Sequence, residues 1–279
     1  MKANRIASHL ILIFGACIVA FPFFWMVSTS LKTDAEAGAS RQALLPAEPQ
    51  FSNYVSAWKS AGERSARQVT FATYFRNSAI VALFVTLGVL FTSILAGYAF
   101  ANMEFRGKRL LFILFLATMM IPFEVALIPN YRIIEKLGWY DTFPALIVPW
   151  MANVFSIFIL RQFFRAVPRD FFEAAQIDGC GHWRYMWLIA APMAAPALVT
   201  IAIFTFLSSW NAFLWPLLVT HSPEMRVVQV GLSLLRGEEA TNFNTLMAAS
   251  AIVIIPVILI YLALQRRFID GVAGAGLKG

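Results

Sequence analysis

The chain has 279 residues, 59% of them apolar and only 13% charged, against about 45–50% and about 25% in an average soluble domain. With 26 Phe, 8 Trp and a mean hydropathy of +0.70, a water-soluble globular enzyme is excluded, because it would show water more contiguous apolar surface than soluble monomers tolerate. The net charge of +7 does not point to nucleic acid either: the basic residues lie between apolar runs, not on a solvated face interleaved with aromatics.

From the N-terminus, six charge-poor apolar runs follow one another: Leu10–Leu31, Asn77–Met103, Leu110–Tyr131 with one interruption at Glu124, Thr142–Leu160, Tyr185–Thr220 and Ala240–Gln265. A helix needs roughly 20 such residues to cross a bilayer core. The fold class that follows is an all-α integral membrane protein with six transmembrane helices. The fifth run is too long for one straight span, and Pro192 and Pro196 mark where an interfacial helix ends and the span begins. Ala37-Gly38-Ala39 has the look of a signal-cleavage site. The first run, however, exceeds the apolar stretch of about 7–15 residues that a secretory signal carries, so it reads as an uncleaved anchor.

Lys and Arg set the orientation, since they collect in cytoplasmic loops. With the N-terminus inside, the cytoplasmic segments hold twelve of them and the outer segments ten, but six of those ten (Lys32, Arg41, Lys59, Arg64, Arg67 and Arg76) lie in one long loop. Both termini are therefore expected in the cytoplasm. The chain divides into a cytoplasmic tail 1–9, a first transmembrane helix 10–31, an extracytoplasmic loop 32–76, a five-helix core 77–265 that includes a cytoplasmic loop 161–192, and a cytoplasmic tail 266–279. In the outer loop, Asn53 to Trp58 can form a small helix on the membrane surface. Cys17 and Cys180 read as free thiols, and His9, His182 and His221 fall in separate segments without metal-ligand spacing.

The loop 161–192 reads RQFFRAVPRDFFEAAQIDGCGHWRYMWLIAAP. Pro168 suits a helix first turn, and Asp170 and Glu173 place negative charge near the positive end of the dipole. A short helix from Pro168 to Asp178 is expected, with Phe171, Ala174, Ala175 and Asp178 on one face. The two alanines would let another protein approach the backbone there. Gly179 ends the helix by taking the left-handed conformation, and Trp183, Met186, Trp187 and Ala190 then lead the chain back to the membrane at helical spacing. Composition alone also allows a solvated amphipathic segment lying on lipid headgroups.

The literal string carries more. Glu173-Ala174-Ala175, three residues, Gly179, nine residues, Ile189 and then Pro192 resembles the EAA loop in permease subunits of binding-protein-dependent ABC importers. Where the family has a leucine before the proline, this chain has Ala191. The resemblance extends to Asn77-Ser78, to Ile121–Leu146, Ser156–Phe164 and Trp210–Thr220, and to the tail Gln265–Gly279, all of which look like the carbohydrate-uptake subclass, and within it like the second permease of maltose and glycerol-3-phosphate systems.

That resemblance implies a MetI-like core and a set of partners: a second permease subunit, two ATP-binding subunits and an extracytoplasmic solute-binding protein, in the inner membrane of a bacterium. It makes Glu173, Ala174, Ala175, Asp178 and Gly179 the contact with the ATPase, with Glu173 as the charged contact. ATP and magnesium would be used by the partner ATPase, and this chain would bind no cofactor, metal or nucleic acid. Its solute would be a sugar or a glycerol-3-phosphate-like molecule.

Three residues within the spans are further candidates. Glu124 would cost about 2.5–3.5 kcal/mol at a bilayer centre, and it reads either as a functional charge or as an interfacial residue beside Pro129, Asn130 and Arg132. Trp210 and Asn211 sit in the fifth run, where an amide must find a partner or line a polar cavity; they are assigned to the substrate pathway, with helix-to-helix bonding as the other reading. The chain has no GxxxxGK[ST] motif, so it is not expected to hydrolyse ATP, and no GxSxG or zinc-ligand pattern points to an intramembrane enzyme. The alternative function is a stand-alone secondary carrier or channel, which would normally carry ionisable residues deep in its spans.

Overall fold

The computed structural model describes residues 2–41, 43–59, 69–237 and 243–276, and the side chains of these except 2–7, 237 and 264–276. Arg64, Arg67 and Lys278 of the charge asymmetry, Ala240 at the start of the sixth run and the last three residues of the C-terminal tail lie outside the described residues. The contacts divide the chain into two compact units, Met1–Phe75 with Val230–Pro256, and Arg76–Gln229 with Val257–Gly279.

The helices follow in order: α1 Lys2–Ser30, α2 Asp34–Ala37, α3 Ser52–Lys59, α4 Phe71–Asn102, α5 Lys108–Ala117, α6 Phe123–Lys136, α7 Phe143–Ile147, α8 Val154–Ala166, α9 Arg169–Ile177, α10 His182–Tyr185, α11 Ala191–Met193, α12 Ala195–Trp210, α13 Leu214–Val219, α14 Val228–Gly237 and α15 Phe243–Gly276. Among the described residues none is in a strand. Three stretches, Ser8–Ser30, Phe71–Asn102 and Phe243–Ala263, are long and apolar enough to cross a membrane unbroken. Three more spans are bent pairs: Lys108–Met120 with Phe123–Lys136, Phe143–Trp150 with Val154–Ala166, and His182–Met193 with Ala195–Trp210. Counting each bent pair as one span gives six.

The bends correct the picture of straight runs. The third run breaks at Ile121 and Pro122, and the two halves stand 101° apart. Pro122 has no N–H to give and disfavours helix in the residue before it. Lys108–Met120 at 1.5 Å per residue spans about 20 Å, short of a bilayer core of about 30 Å. Glu124, expected near the outer end of the third span, follows this break. It is exposed, in the first turn of α6, where the helix dipole favours a negative side chain. The break in the fifth run falls at Ala194, between Pro192 and Pro196, with a bend of 78°.

Among the element bounds that differ from those read in the sequence, two move arginine into a helix. The second helix starts at Phe71, ahead of Asn77. The helix α8 runs on to Ala166, so Arg161 belongs to the span and not to the following loop. Its Nε donates to the Phe100 carbonyl at 3.2 Å and its guanidinium lies 4.0 Å from the Phe112 ring centroid, which satisfies a charge that would otherwise be costly so close to lipid.

In the first unit, α1 ends in a polar knot. Asn53, at the start of α3, donates from Nδ2 to the carbonyls of Ser30 and Lys32, both at 2.9 Å, and Ser30 Oγ meets Tyr54 Oη at 2.7 Å. Asn244, near the start of α15, donates to Lys32 O at 2.9 Å and to Asp34 Oδ1 at 2.8 Å. These bonds take up carbonyls that the end of a helix leaves without internal partners. The Lys32 ammonium is buried 4.5 Å from the Trp25 ring centroid. Glu36 closes a capping box on Thr33, and the backbone N–H groups of Thr33 and Ala47 hold its carboxyl below the ordinary value.

In the second unit, the segment 219–228 is strapped to α4 and to the turn before α7. Asn77 Nδ2 donates to the carbonyls of Glu224 (2.7 Å) and Arg226 (3.0 Å), and Ser78 Oγ accepts from the Val228 N–H (2.8 Å). Asp141, held at φ +61°, accepts the N–H groups of His221 (2.9 Å) and Ser222 (3.1 Å).

Candidate functional site

Two places in the second unit carry the sequence-derived candidates. The first is α9. Pro168 precedes it, Asp170 lies in its first turn and Asp178 caps its end, within a residue of the expected Pro168–Asp178. Gly179 adopts φ +75°, its N–H bonds the Gln176 carbonyl at 2.9 Å, and the Cys180 N–H bonds the Ala175 carbonyl at 2.8 Å. This is the Schellman arrangement, in which the left-handed residue after the helix lets two final carbonyls find donors.

One residue of the expected face of α9 turns inward. Asp170, Phe171, Glu173, Ala174, Gln176, Ile177 and Asp178 are exposed, Ile177 to 88%, whereas Ala175 is only 7% exposed and turned into the chain. Ala175 is therefore corrected from a partner-facing residue to a packing residue. Beside it Phe172 anchors the helix, its ring 4.7 Å from that of His182 and 5.0 Å from that of Tyr185. His182 in turn meets Tyr98 of α4, Nδ1 to Oη, at 2.9 Å. Nothing in the spacing of the isolated histidines signals this joint.

The second place is a cavity of about 740 Å³ beside the break between α7 and α8, bounded also by α4, α12 and the turn into α13. Its polar lining is Asn153, Ser156, Thr205, Ser208 and Ser209, and its aromatic lining includes Trp150, Phe155, Phe213 and Trp215. Among the described residues, no charged one lines it. The break is held open from both sides. Thr92 Oγ1 donates to the Met151 carbonyl at 2.8 Å, and Asn153 Oδ1 accepts the N–H (2.9 Å) and hydroxyl (3.0 Å) of Ser156. Trp215 Nε1 donates to the Ala145 carbonyl at 2.9 Å, and the Trp215 ring stands edge-on to Trp150 with centroids 5.6 Å apart.

The pathway residues picked from the sequence lie next to this cavity but do not line it. Trp210 is 1% exposed and stacked on Phe206 at 5.7 Å. Asn211 caps α12, donating to the Leu207 carbonyl at 2.9 Å and accepting from Gln229 Nε2 at 3.1 Å. Asn211 is thus bonded to its own helix and to Gln229. The signal for the actual lining was the pair Ser208-Ser209 and the lone Asn153, polar residues inside apolar runs. Among the described residues, no group of His, Cys, Asp and Glu could hold a metal ion.

Comparison with known families decides the wider context. Residues 88–273 match the family described as "Binding-protein-dependent transport system inner membrane component". The chain belongs to that family. This permease is 33% identical to the arabinooligosaccharides transport system permease protein AraQ of Bacillus subtilis, over 99% of the chain and 96% of that protein. It is 32% identical to the sn-glycerol-3-phosphate transport system permease protein UgpE of Agrobacterium fabrum, over 96% of the chain and 95% of that protein. Its fold matches a chain in the crystal structure of a bacterial ABC transporter involved in the import of the acidic polysaccharide alginate, with a TM-score of 0.82 at 24% identity, covering 96% of the permease and 97% of that chain. The protein is thus a multi-pass permease subunit of an ABC importer and not an enzyme, and these comparisons give no support to a stand-alone carrier.

Proposed function

We propose that this permease works as one of two membrane subunits of an ATP-driven importer for a sugar or a glycerol-3-phosphate-like solute, and that α9 is the lever through which two ATP-binding subunits drive it. The observation that carries the lever is the exposed face of α9. Glu173, Ala174, Ile177 and Asp178 leave an apolar side chain, 88% exposed in the case of Ile177, amid carboxylates on a rigidly ended helix. Such a surface gains by insertion into a partner's cleft. Glu173 supplies a charge that an arginine of the ATPase can pair with, and Gly179 fixes the angle at which the helix leaves its loop.

The Lys and Arg distribution supports a cytoplasmic position for both termini and for α9. The solute-binding protein then delivers from the opposite side. Lipid covers the face of α1, whose most apolar stretch has no part buried within the chain. ATP and magnesium belong to the ATP-binding subunits, since this chain has no phosphate-cradling loop. Closure of those subunits can rock the spans between inward- and outward-facing states only if they grip α9 differently in the two.

The test is a pull-down of the tagged chain from gently solubilised native membranes, with mass spectrometry of what co-purifies. Recovery of a second six-span permease and an ATPase, both lost on changing Glu173 and Gly179, is the expected result. Recovery of the chain alone, active in liposomes under an ion gradient, would overturn the reading.

A further inference from the structure

We propose that the cavity beside the α7–α8 break is a binding segment of the solute pathway built by this chain itself, taking a neutral saccharide ring, with Asn153, Ser208 and Ser209 meeting its hydroxyls and Trp150 and Phe213 its faces. The inference rests on the reading of the chain as an importer subunit and adds a site to it.

The hydroxyls are the first argument. Thr205, Ser208 and Ser209 lie at the helical spacing that puts three side chains on one face of α12, and all three line the cavity. Elsewhere in the same helix Thr200 returns its hydroxyl to the Pro196 carbonyl at 2.9 Å, the usual way to quiet such a group in a span. Among the described residues, Thr205, Ser208 and Ser209 make no such bond. A hydroxyl without a partner costs free energy against hydrocarbon, and these three open instead onto the cavity, where water or a polar ligand can meet them.

The second argument is Asn153. Its Oδ1 is committed to Ser156, which fixes the side chain and leaves the amide NH₂ to donate. It stands at the N-cap of α8, exposed, on the rim of the cavity.

Shape and charge complete the match. About 740 Å³ lies within the range of about 300–1,000 Å³ for small-molecule sites. Trp150 is held by Trp215 and Phe123, the latter with ring centroids 5.4 Å away, and Phe213 is exposed at the turn. Flat apolar faces beside a few fixed hydroxyl and amide groups suit a sugar ring, which has C–H faces and a hydroxyl rim. An anion entering this charge-free lining would lose its hydration without a counter-charge.

The experiment uses the complete importer, purified through this chain and reconstituted in liposomes, with Cys17 and Cys180 replaced by Ser and either Ser208→Cys or Ser209→Cys introduced. The probes are arabinotriose, maltose and diacetylchitobiose as neutral saccharides and glycerol 3-phosphate as the anion. Both cysteines are expected to react with a membrane-impermeant maleimide. The saccharide that the unsubstituted complex takes up, at about four times its apparent Kd, should slow labelling about fivefold, as simple occupancy requires, while glycerol 3-phosphate leaves the rate unchanged. Labelling unaffected by that saccharide, protection by glycerol 3-phosphate, or no reaction at either position in a complex that still transports would overturn the cavity's assignment. A complex that takes up none of the probes with ATP, or that holds no ATPase, would instead overturn the importer reading beneath it.

Discussion

Tyr98 Oη and His182 Nδ1 lie 2.9 Å apart, and through them the long helix α4 is joined to the segment that follows α9. Tyr98 is 2% exposed, its ring 6.0 Å from that of Phe164 in α8 and 6.2 Å from that of Tyr185. Contacts thus run without a gap from Phe172 of α9 to His182 and Tyr185, and from there to α4 and α8. Removing the hydroxyl alone, Tyr98→Phe, keeps the rings and deletes one hydrogen bond of about 1 kcal/mol. The expected outcome is an uptake rate about fivefold lower, with the ATPase still bound and still hydrolysing. Phe172→Ala, which removes the ring contact itself, should uncouple hydrolysis from uptake further. The ratio of solute moved to ATP hydrolysed, measured in liposomes, checks both.

Glu173 is exposed on α9 and has no partner within the chain among the described residues, so its substitution should leave insertion and folding intact. Glu173→Lys is expected to remove the ATPase from the purified complex and to abolish uptake. Glu173→Gln, which keeps size and loses charge, should fall between. The amount of ATPase co-purifying is the measurement, and wild-type uptake by the lysine variant would remove the lever.

Gly179 separates conformational cost from crowding. A Cβ there would meet nothing within 4 Å, so any loss on substitution comes from its φ of +75°. Gly179→Ala should cost about 1–2 kcal/mol of loop order, while Gly179→Asn, which tolerates the left-handed region, should cost less. Uptake is expected to rank glycine, asparagine, alanine, and the same order should appear in protease resistance of the 169–182 loop. An alanine variant equal to wild type would mean that the Schellman turn does not set the position of α9.

How far the sequence reaches is clearest where it missed. The ends of α9 were legible because Pro168 and Gly179 act locally, through a missing N–H and a left-handed φ. The break at Ala194 was legible for the same reason, two prolines close together. The break at Ile121–Pro122 was not, since a single proline inside an apolar run is tolerated in many spans and only packing separates a kink from a 101° turn. The lining of the cavity was one residue away from the candidates Trp210 and Asn211. Neighbours on a helix point about 100° apart, so Trp210 faces the core while Ser208 and Ser209 face the cavity, and an isolated apolar run fixes no rotation about its own axis. Ala175 was misassigned in the same way.

Two close-packed glycines in α4 should respond differently, and the difference tests whether α8 must stay close to α4 for transport. At Gly97 a Cβ would meet Leu160 Cβ at 3.0 Å, the Arg161 N at 3.2 Å and the Ile157 carbonyl at 3.4 Å. Two of these are backbone atoms that cannot turn aside, so the helices must separate, and small residues at such crossings are what allows close approach in membranes. At Gly88 the Cβ would fall 2.6 and 2.7 Å from Met151 Cγ and Cε, which another rotamer can move, but also 2.8 Å from its Cβ, which stays with the backbone, so the turn carrying Met151 must shift. Gly97→Ala is accordingly expected to lower the thermal unfolding midpoint of the detergent-solubilised complex and to reduce uptake, because it shifts α8 and with it the Phe164–Tyr98 contact below α9. Gly88→Ala should cost at least as much stability but act on the cavity, since it displaces Met151 at the break beside Asn153. A Gly97→Ala complex with unchanged midpoint and uptake would show that the α4–α8 crossing has slack, and that coupling from α9 does not depend on this packing.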